Sequence, residues 1–199
     1  GLHSRKLGIP GEDQFQGKGM IHCAMCDAGF YRDKVVAVCG GGNAGLLEAM
    51  YLARFASKVI VVEAQPGLSA RPALQERARA DAKLEIRCGE KPVAIVGDGG
   101  VTGVLVENLA SGKREQLAAY GVLVHVGYAP TTAYLEGVLA LDDSGYVAVN
   151  DRFETGVPGA FAAGDIRTGA PRQVAVAVAD GKAAAAGALK ILQSLKRNA

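Results

Sequence analysis

The sequence predicts an α/β fold built on a parallel sheet, and three observations lead to this prediction. The run KVVAVC at 34–39 is a short, β-branched apolar strand that ends at consecutive glycines. The segment 43–56 follows with apolar residues at helical spacing, and KVIVVE at 58–63 is a second strand of the buried type. Together they form a strand–helix–strand unit whose two strands are expected to lie parallel in one sheet.

Further elements are expected downstream. After Pro72 the sequence is polar and typical of a helix, and the glycine-rich alternation at 92–117 favours a small antiparallel meander. Shorter apolar runs predict strands at 84–88, at 121–127 and at 159–165.

A long alanine-rich helix is expected from about Arg172. Its apolar tract at 174–192 carries Asp180, Lys182 and Lys190, and such charges are costly inside a bilayer. We therefore interpret it as the helix of a soluble protein. No signal peptide opens the chain, and no membrane association is expected.

Composition excludes several classes of protein. The chain has 199 residues, of which 49% are hydrophobic, so it can bury the core of one domain or of two small ones. The net charge of +2 is spread along the chain without a basic stripe, and nucleic-acid binding is not expected. The 4 cysteines are too few for a disulfide scaffold, which indicates cysteine chemistry in a reducing compartment.

A glycine motif follows the first strand of the strand–helix–strand unit. Gly40, Gly42 and Gly45 fit G-x-G-x-x-G, in which the glycines allow a tight turn, close approach of a pyrophosphate, and close helix–strand packing. Asn43 and Ala44 open the helix behind the loop, and Asn43 is expected to cap it. The pattern predicts a dinucleotide with its pyrophosphate at this helix N-terminus; a purely structural turn is the alternative.

Glu63 ends the second strand, where a carboxylate can accept hydrogen bonds from a ribose 2′-OH. It would repel a 2′-phosphate, so NADH is favoured over NADPH. A preference for NADPH stays open if the Arg71 side chain reaches the site.

Cys23 and Cys26 form a C-x-x-C pair ahead of the glycine motif. The spacing suits a dithiol/disulfide couple, in which one cysteine has a lowered pKa; a purely structural pair and a zinc site are the alternatives. A zinc site lacks a second pair of ligands, and no metal is expected. Asp27 is placed to move a proton to a leaving thiolate, or it caps the following turn.

Four other residues have side chains with candidate chemistry. Cys39 and Cys88 end apolar strands and are expected to be buried thiols. His22 either stabilises a thiolate or points elsewhere, and His125 is expected in the core or at an interface.

Several segments, taken together, resemble the low-molecular-weight thioredoxin reductases over essentially the whole chain, and they are similar to the flavoprotein subunit of alkyl hydroperoxide reductase. The resembling segments are GKGMIHCAMCDAGFY, VVAVCGGGNAG, GVTGV, VGYAPTT and VPGAFAAGDIR…PRQVAVAVADGKAAA.

The resemblance implies electron transfer from NAD(P)H through FAD to the Cys23/Cys26 disulfide and then to thioredoxin or a similar dithiol protein. It implies that Cys26 is the cysteine next to the flavin, that Cys23 attacks the protein substrate, and that Asp27 is the acid. It also implies a cytoplasmic homodimer. The flavin-contacting residues it implies are Gly164, Asp165, Arg172, Gln173 and Val174. Gly127 and Pro130, in VGYAP, resemble the family segment that crosses between the domains near both cofactors, so Gly127 is expected to contact a cofactor.

Two departures from the family pattern affect these expectations. Glu63, Ala64 and Gln65 stand where NADPH-using members carry a His-Arg-Arg cluster, which favours NADH. No flavin-binding strand–helix–strand unit with its own glycine motif precedes Gly1, so the chain resembles the C-terminal two thirds of such a reductase.

We therefore expect a Rossmann-like three-layer nucleotide-binding domain with a small antiparallel meander, plus the C-terminal half of a second, FAD-binding Rossmann-like domain. The expected division is 1–10 as remnant and hinge, 11–121 as the NAD(P)H-binding domain with the redox pair, and 122–199 as part of the FAD-binding domain. A second hinge is expected near Gly121. Three functions stay open: a thioredoxin-disulfide reductase-like flavoenzyme, a non-catalytic NAD(H)-binding module that cannot hold FAD alone, or a subunit like the flavoprotein of alkyl hydroperoxide reductase.

Overall fold

A computed structural model describes residues 1–197, and the chain divides into two compact units. The larger unit is Arg5–Gly127, and the smaller unit combines Gly1–Ser4 with the chain from Tyr128 onward. The sequence-based boundaries lie nearby, at 10/11 and 121/122; residues 198 and 199, which the third predicted segment includes, lie outside the described residues.

The larger unit holds most of the regular elements. In chain order they are β2 (Met20–Ile21), α1 (Ala24–Asp27), β3 (Val35–Cys39), α2 (Asn43–Ala53), β4 (Lys58–Glu63), α3 (Pro72–Ala80), β5 (Leu84–Cys88), β6 (Glu90–Gly97), β7 (Val101–Asn108), β8 (Arg114–Ala118) and β9 (Gly121–Val124). The smaller unit contributes β1 (Leu2–Ser4), β10 (Tyr128–Pro130), α4 (Val174–Arg197) and 3-10 turns at Ala133–Leu135 and Gly164–Ile166.

A five-stranded parallel sheet organises the larger unit, in the order β2-β9-β3-β4-β5. Because side chains alternate across a strand, β3 sends Val36 and Val38 into the core beneath the helices. Ala37 and Cys39 point into a second core, shared with the antiparallel meander β6-β7-β8. The predicted three-layer domain with a small meander is confirmed, and the structure shows the helices on one face of the sheet and the meander on the other.

The smaller unit has little core of its own. Among the residues described there, the buried hydrophobic side chains are Val147 and Ala184. Large apolar side chains lie exposed along α4, at Val174, Val178, Leu189, Leu192 and Leu195. No helix within residues 1–197 is long and apolar enough to cross a membrane.

The strand predicted at 159–165 is wrong. Phe161 makes an isolated bridge to Glu154, and Gly164–Ile166 forms a 3-10 turn. A strand needs a hydrogen-bonded neighbour, and the described part of this unit provides no ladder beside the segment. The helix predicted from Arg172 begins at Val174, because Arg172 takes a left-handed conformation with φ of 57°.

Asn43 does not cap α2. The N-cap is Gly42, which has no side-chain capping bond, and Asn43 is the first helical residue. Its Oδ1 instead accepts the backbone N–H of Arg71 at 2.8 Å, so it ties the chain entering α3 to the glycine loop.

Candidate active site

The Cys23/Cys26 pair lies at the start of a helix of only 4 residues. Cys23 is the N-cap of α1, and its Sγ accepts the backbone N–H of Cys26 at 3.3 Å. The Cys26 Sγ–H also donates to Cys23 Sγ at 2.7 Å. Both cysteines are free thiols, and the sulfur of Cys23 is the acceptor of both hydrogen bonds.

The surroundings of Cys26 disfavour its thiolate. The hydrogen bond to Cys23 raises the pKa of the Cys26 thiol, and burial and the negative charges of Asp27 and Glu48 raise it further. These contacts favour the protonated form of Cys26.

Asp27 does not cap the 3-10 turn at Ala28–Tyr31, although it precedes that turn directly. Its Oδ2 accepts a long hydrogen bond of 3.4 Å from the backbone N–H of His22, which joins the two ends of the segment 22–27 that holds the cysteine pair. The side chain stays close enough to Cys26 to influence its pKa.

The glycine loop joins β3 to α2. Gly40 has φ of +125°, a conformation that L side chains rarely adopt, and a Cβ there would overlap the carbonyl oxygen of His125. A Cβ on Gly45 would overlap the carbonyl oxygen of Gly40, so α2 packs directly on the loop. At Gly42 a Cβ would meet only Ser69 Oγ, at 3.6 Å, which leaves this side of the loop open.

Glu63, at the end of β4, binds the same loop. Its Oε2 accepts the backbone N–H of Gly41 at 2.7 Å, and its Oε1 accepts that of Gln65 at 2.9 Å. The first turn of α2 holds no acidic side chain. The positive end of the helix dipole therefore has no acidic partner within its own first turn, and the nearby carboxylate comes from β4.

In the smaller unit, Asp180 fixes the 3-10 turn Gly164–Ile166 to α4. Its carboxylate pairs with Arg167, with Nη2 3.0 Å from Oδ1, and Oδ2 accepts the N–H of Gly164 at 3.1 Å. Hydrogen bonding to Arg167 lowers the pKa of Asp180. Within residues 1–197, Asp165 in the same turn makes no side-chain hydrogen bond, so its carboxylate can accept from a ligand.

The start of α4 is exposed. Val174 is its first residue and is 84% exposed, and the carbonyl of Gln173 accepts the N–H of Ala177 at 3.0 Å. Arg172 donates to the Tyr146 hydroxyl at 2.7 Å and lies over its ring. The exposed Arg172 side chain is therefore held against Tyr146 of its own unit.

Other sequence-based expectations concern single residues. Cys39 is fully buried, and burial raises its pKa to about 12. Cys88 is half-buried with a raised pKa, and Gly127 has φ of +100°. No group of three or more His, Cys, Asp or Glu side chains within residues 1–197 could hold a metal ion.

The larger unit gathers its sequence-predicted residues around α2, with the glycine loop at its start and the redox helix against it. Ala24, Leu46 and Ala49 belong to one buried cluster that joins α1 to α2. Gly164 and Asp165 share the smaller unit with the start of α4. Sequence reasoning missed three partners, Glu48, Arg167 and Asp180, because each acts through a contact distant in sequence. For Glu48 and Asp180 the sequence signal was a charge within an apolar helix.

Comparison with known proteins shows the family. The pyridine nucleotide-disulphide oxidoreductase family model matches residues 1–181, and the chain belongs to that family. Thioredoxin reductase of Peptoclostridium acidaminophilum is 40% identical over 200 residues, which cover 98% of this chain and 64% of that protein. An alkyl hydroperoxide reductase component of Xanthomonas campestris pv. phaseoli is 37% identical over 189 residues, covering 94% of this chain and 36% of that protein.

A solved structure agrees with the predicted fold. The crystal structure of Lactococcus lactis thioredoxin reductase matches with a TM-score of 0.90 and 33% identity, over 98% of this chain and 64% of that one. The chain thus has the Rossmann-like fold of the thioredoxin reductases to which it is similar. It spans slightly less than two thirds of the length of these thioredoxin reductases.

Proposed function

We propose that the protein transfers electrons from a nicotinamide nucleotide to the Cys23/Cys26 disulfide and from there to a dithiol protein. The observation that carries the proposal is the packing of α1 on α2, which brings the cysteine pair and the glycine loop to one helix. Reduction of the disulfide takes up two electrons and two protons and breaks the S–S bond. The Cys23 sulfur, the acceptor of two hydrogen bonds, is the nucleophile that attacks the partner's disulfide.

The open end of α2 is suited to the diphosphate of the nucleotide. The first-turn N–H groups, with Gly40, Gly42, Asn43, Ala44 and Gly45 around them, would hold the phosphate oxygens. Glu63 would accept a ribose hydroxyl with the lone pairs that Gly41 and Gln65 leave available.

NADH is the proposed nucleotide. The Glu63 carboxylate accepts hydrogen bonds from two backbone N–H groups, which are therefore not available to a 2′-phosphate. Its negative charge would also repel such a phosphate. Arg71 is the residue that could reverse this preference, since its backbone is tied to Asn43.

The smaller unit contains residues that fit a flavin. Gly164 and Asp165 would hold its ribityl chain, and Arg172, Gln173 and Val174 would meet the ring at the positive end of α4. Asp180 supports this assignment because it ties the Gly164 turn to α4, so both groups are held together within one unit. Gly127 is proposed as a further cofactor contact. A bound FAD would supply two-electron transfer between nicotinamide and disulfide.

The partner is proposed to be thioredoxin or a thioredoxin-like dithiol protein. Met25 and Phe30, beside the redox pair, are each 75% exposed and offer an apolar surface for such a protein. Asp27 would return a proton to the leaving sulfur. A cytoplasmic homodimer is proposed from the relatives, and sedimentation of the purified protein tests the dimer.

Two other functions remain to be tested. A flavoprotein like that of alkyl hydroperoxide reductase would use the same residues with a different partner, and the 37% identity to the Xanthomonas campestris protein supports it. A non-catalytic NAD(H)-binding module is supported by the thin core of the smaller unit, which would bind flavin weakly.

The visible spectrum of the purified chain with added FAD separates these functions. A retained flavin spectrum that NADH bleaches, followed by reduction of thioredoxin, supports the reductase. A colourless protein that still binds NADH supports the binding module for this chain, and a protein that binds neither nucleotide nor flavin contradicts both.

A further inference from the structure

Glu48 joins the helix of the glycine loop to the helix of the redox pair. It lies on α2, one turn beyond the loop, and its Oε2 accepts the backbone N–H of Ala24 at 3.1 Å. Ala24 is the first residue of α1 and is 1% exposed. The first N–H of a helix has no acceptor within the helix, and Glu48 provides the acceptor for the N–H of Ala24.

We propose that Glu48 is a positioning residue of the redox pair, and that its negative charge, placed at the first turn of α1, keeps the proton on reduced Cys26. This inference rests on the proposed redox function of Cys23 and Cys26. It assigns Glu48 a role through Ala24 and not through contact with a substrate.

The electrostatics of α1 explain why the charge matters there. A helix N-terminus carries a partial positive charge and favours a thiolate at its start. Glu48 offsets that field from α2. The charged groups that act on the Cys26 thiol are the Cys23 sulfur, Asp27 from the same turn, and Glu48, and all three raise its pKa.

The charge also affects the equilibrium between disulfide and dithiol. Breaking the S–S bond with two electrons and two protons gives two thiols, and losing a proton from one of them stabilises the reduced form further. Because Glu48 disfavours the thiolate, it makes the pair a stronger reductant at the alkaline pH values where the reduced pair ionises. Removing its charge is expected to stabilise the dithiol.

The pH dependence of alkylation tests the proposal on the chain as it is. Iodoacetamide reacts with the thiolate, and trypsin releases residues 19–32 as one peptide that contains Cys23 and Cys26 and neither of the other cysteines. For Glu48→Gln we expect the alkylation midpoint of the pair to fall by roughly 0.5 to 1 pH unit. In glutathione buffers held at a pH above the wild-type alkylation midpoint, we expect disulfide formation to become about threefold to tenfold less favourable, and a tenfold change corresponds to ~30 mV.

Two variants serve as controls. Glu76→Gln removes an exposed carboxylate from α3 and should change neither readout. Glu48→Asp keeps the charge on a shorter side chain, and should keep the alkylation midpoint nearer to the wild-type value than Glu48→Gln does. Thermal unfolding of each variant shows whether it remains folded.

The outcomes separate this inference from the proposed function. If wild-type Cys23 and Cys26 form no reversible disulfide, the proposed function fails. If they do, and Glu48→Gln leaves both the midpoint and the glutathione equilibrium unchanged, the inference alone is overturned. An equal fall in midpoint for Glu48→Asp and Glu48→Gln would also overturn it, because the charge would then not be the cause.

Discussion

The carboxylate of Glu63 accepts a hydrogen bond of 2.7 Å from the backbone N–H of Gly41. A Cβ on Gly41 would lie 2.9 Å from that same oxygen and 2.6 Å from Leu68, so the contact depends on glycine at this position. The end of β4 therefore fixes the middle of the loop by a charge-assisted bond to a backbone N–H.

Replacing Glu63 by Arg is expected to reverse the choice of nucleotide. The change removes the repulsion of a 2′-phosphate and supplies a positive charge, so NADPH affinity should rise at least tenfold relative to NADH. Fluorescence titration with both nucleotides measures this ratio. Arg71→Ala is the matched variant, and a wild type that prefers NADPH and loses that preference in Arg71→Ala would contradict the role given to Glu63.

Gly45→Ala should destabilise the larger unit by roughly 1–3 kcal/mol, because the added methyl group overlaps the Gly40 carbonyl and pushes α2 from the loop. Urea unfolding measures the loss. Gly67→Ala is the control, since a Cβ there meets nothing within 4 Å. Equal stability of the two variants would show that α2 and the loop do not pack as described.

Asp180→Asn should lower the stability of the smaller unit at neutral pH. The folded state lowers the pKa of Asp180, so its contribution is present above the unfolded carboxyl pKa and is lost as the pH falls through the folded value. The difference in thermal midpoint between wild type and variant should therefore shrink in acid. Asp143→Asn, at an exposed position, should show no difference at any pH. A difference for Asp180→Asn that grows in acid would contradict the ion pair with Arg167.

Cys23→Ala should lower the pKa of Cys26. The hydrogen bond to the Cys23 sulfur is the largest cause of the raised pKa, and the variant removes it. The alkylation midpoint of Cys26 in the 19–32 peptide measures the change. Cys88→Ser, which alters a thiol on β5 outside the pair, should leave that midpoint in place. An unchanged or higher midpoint in Cys23→Ala would be evidence against the sulfur–sulfur hydrogen bond.

Local patterns predicted the larger unit well. The strands at Lys58–Glu63 and Leu84–Cys88 have the bounds that the sequence indicates, because a parallel-sheet strand is a short apolar run with clear breaks on either side. The parallel sheet and the meander followed from the same patterns. The cap at Asn43 was wrong because its side chain bonds to Arg71, which is distant in sequence.

The smaller unit was harder to predict from its sequence. The run at 159–165 has the composition of a strand, yet composition cannot supply a neighbouring strand, and only an isolated bridge at Phe161 and a 3-10 turn beginning at Gly164 form there. The links made by Glu48 and Asp180 also depend on tertiary packing. A lone acidic residue within an apolar helix indicates that a partner is needed without saying which one.

The redox state of residues 19–32 in defined thioredoxin or glutathione buffers tests the central claim most directly. After alkylation and trypsin digestion, the peptide from oxidising buffer should carry no label and should have two hydrogen atoms fewer than the dithiol peptide. As the buffer becomes reducing, the peptide should convert to the doubly alkylated form at a single potential. A pair that stays doubly alkylated in every buffer, or that exchanges with neither partner, would contradict a reversible disulfide between Cys23 and Cys26.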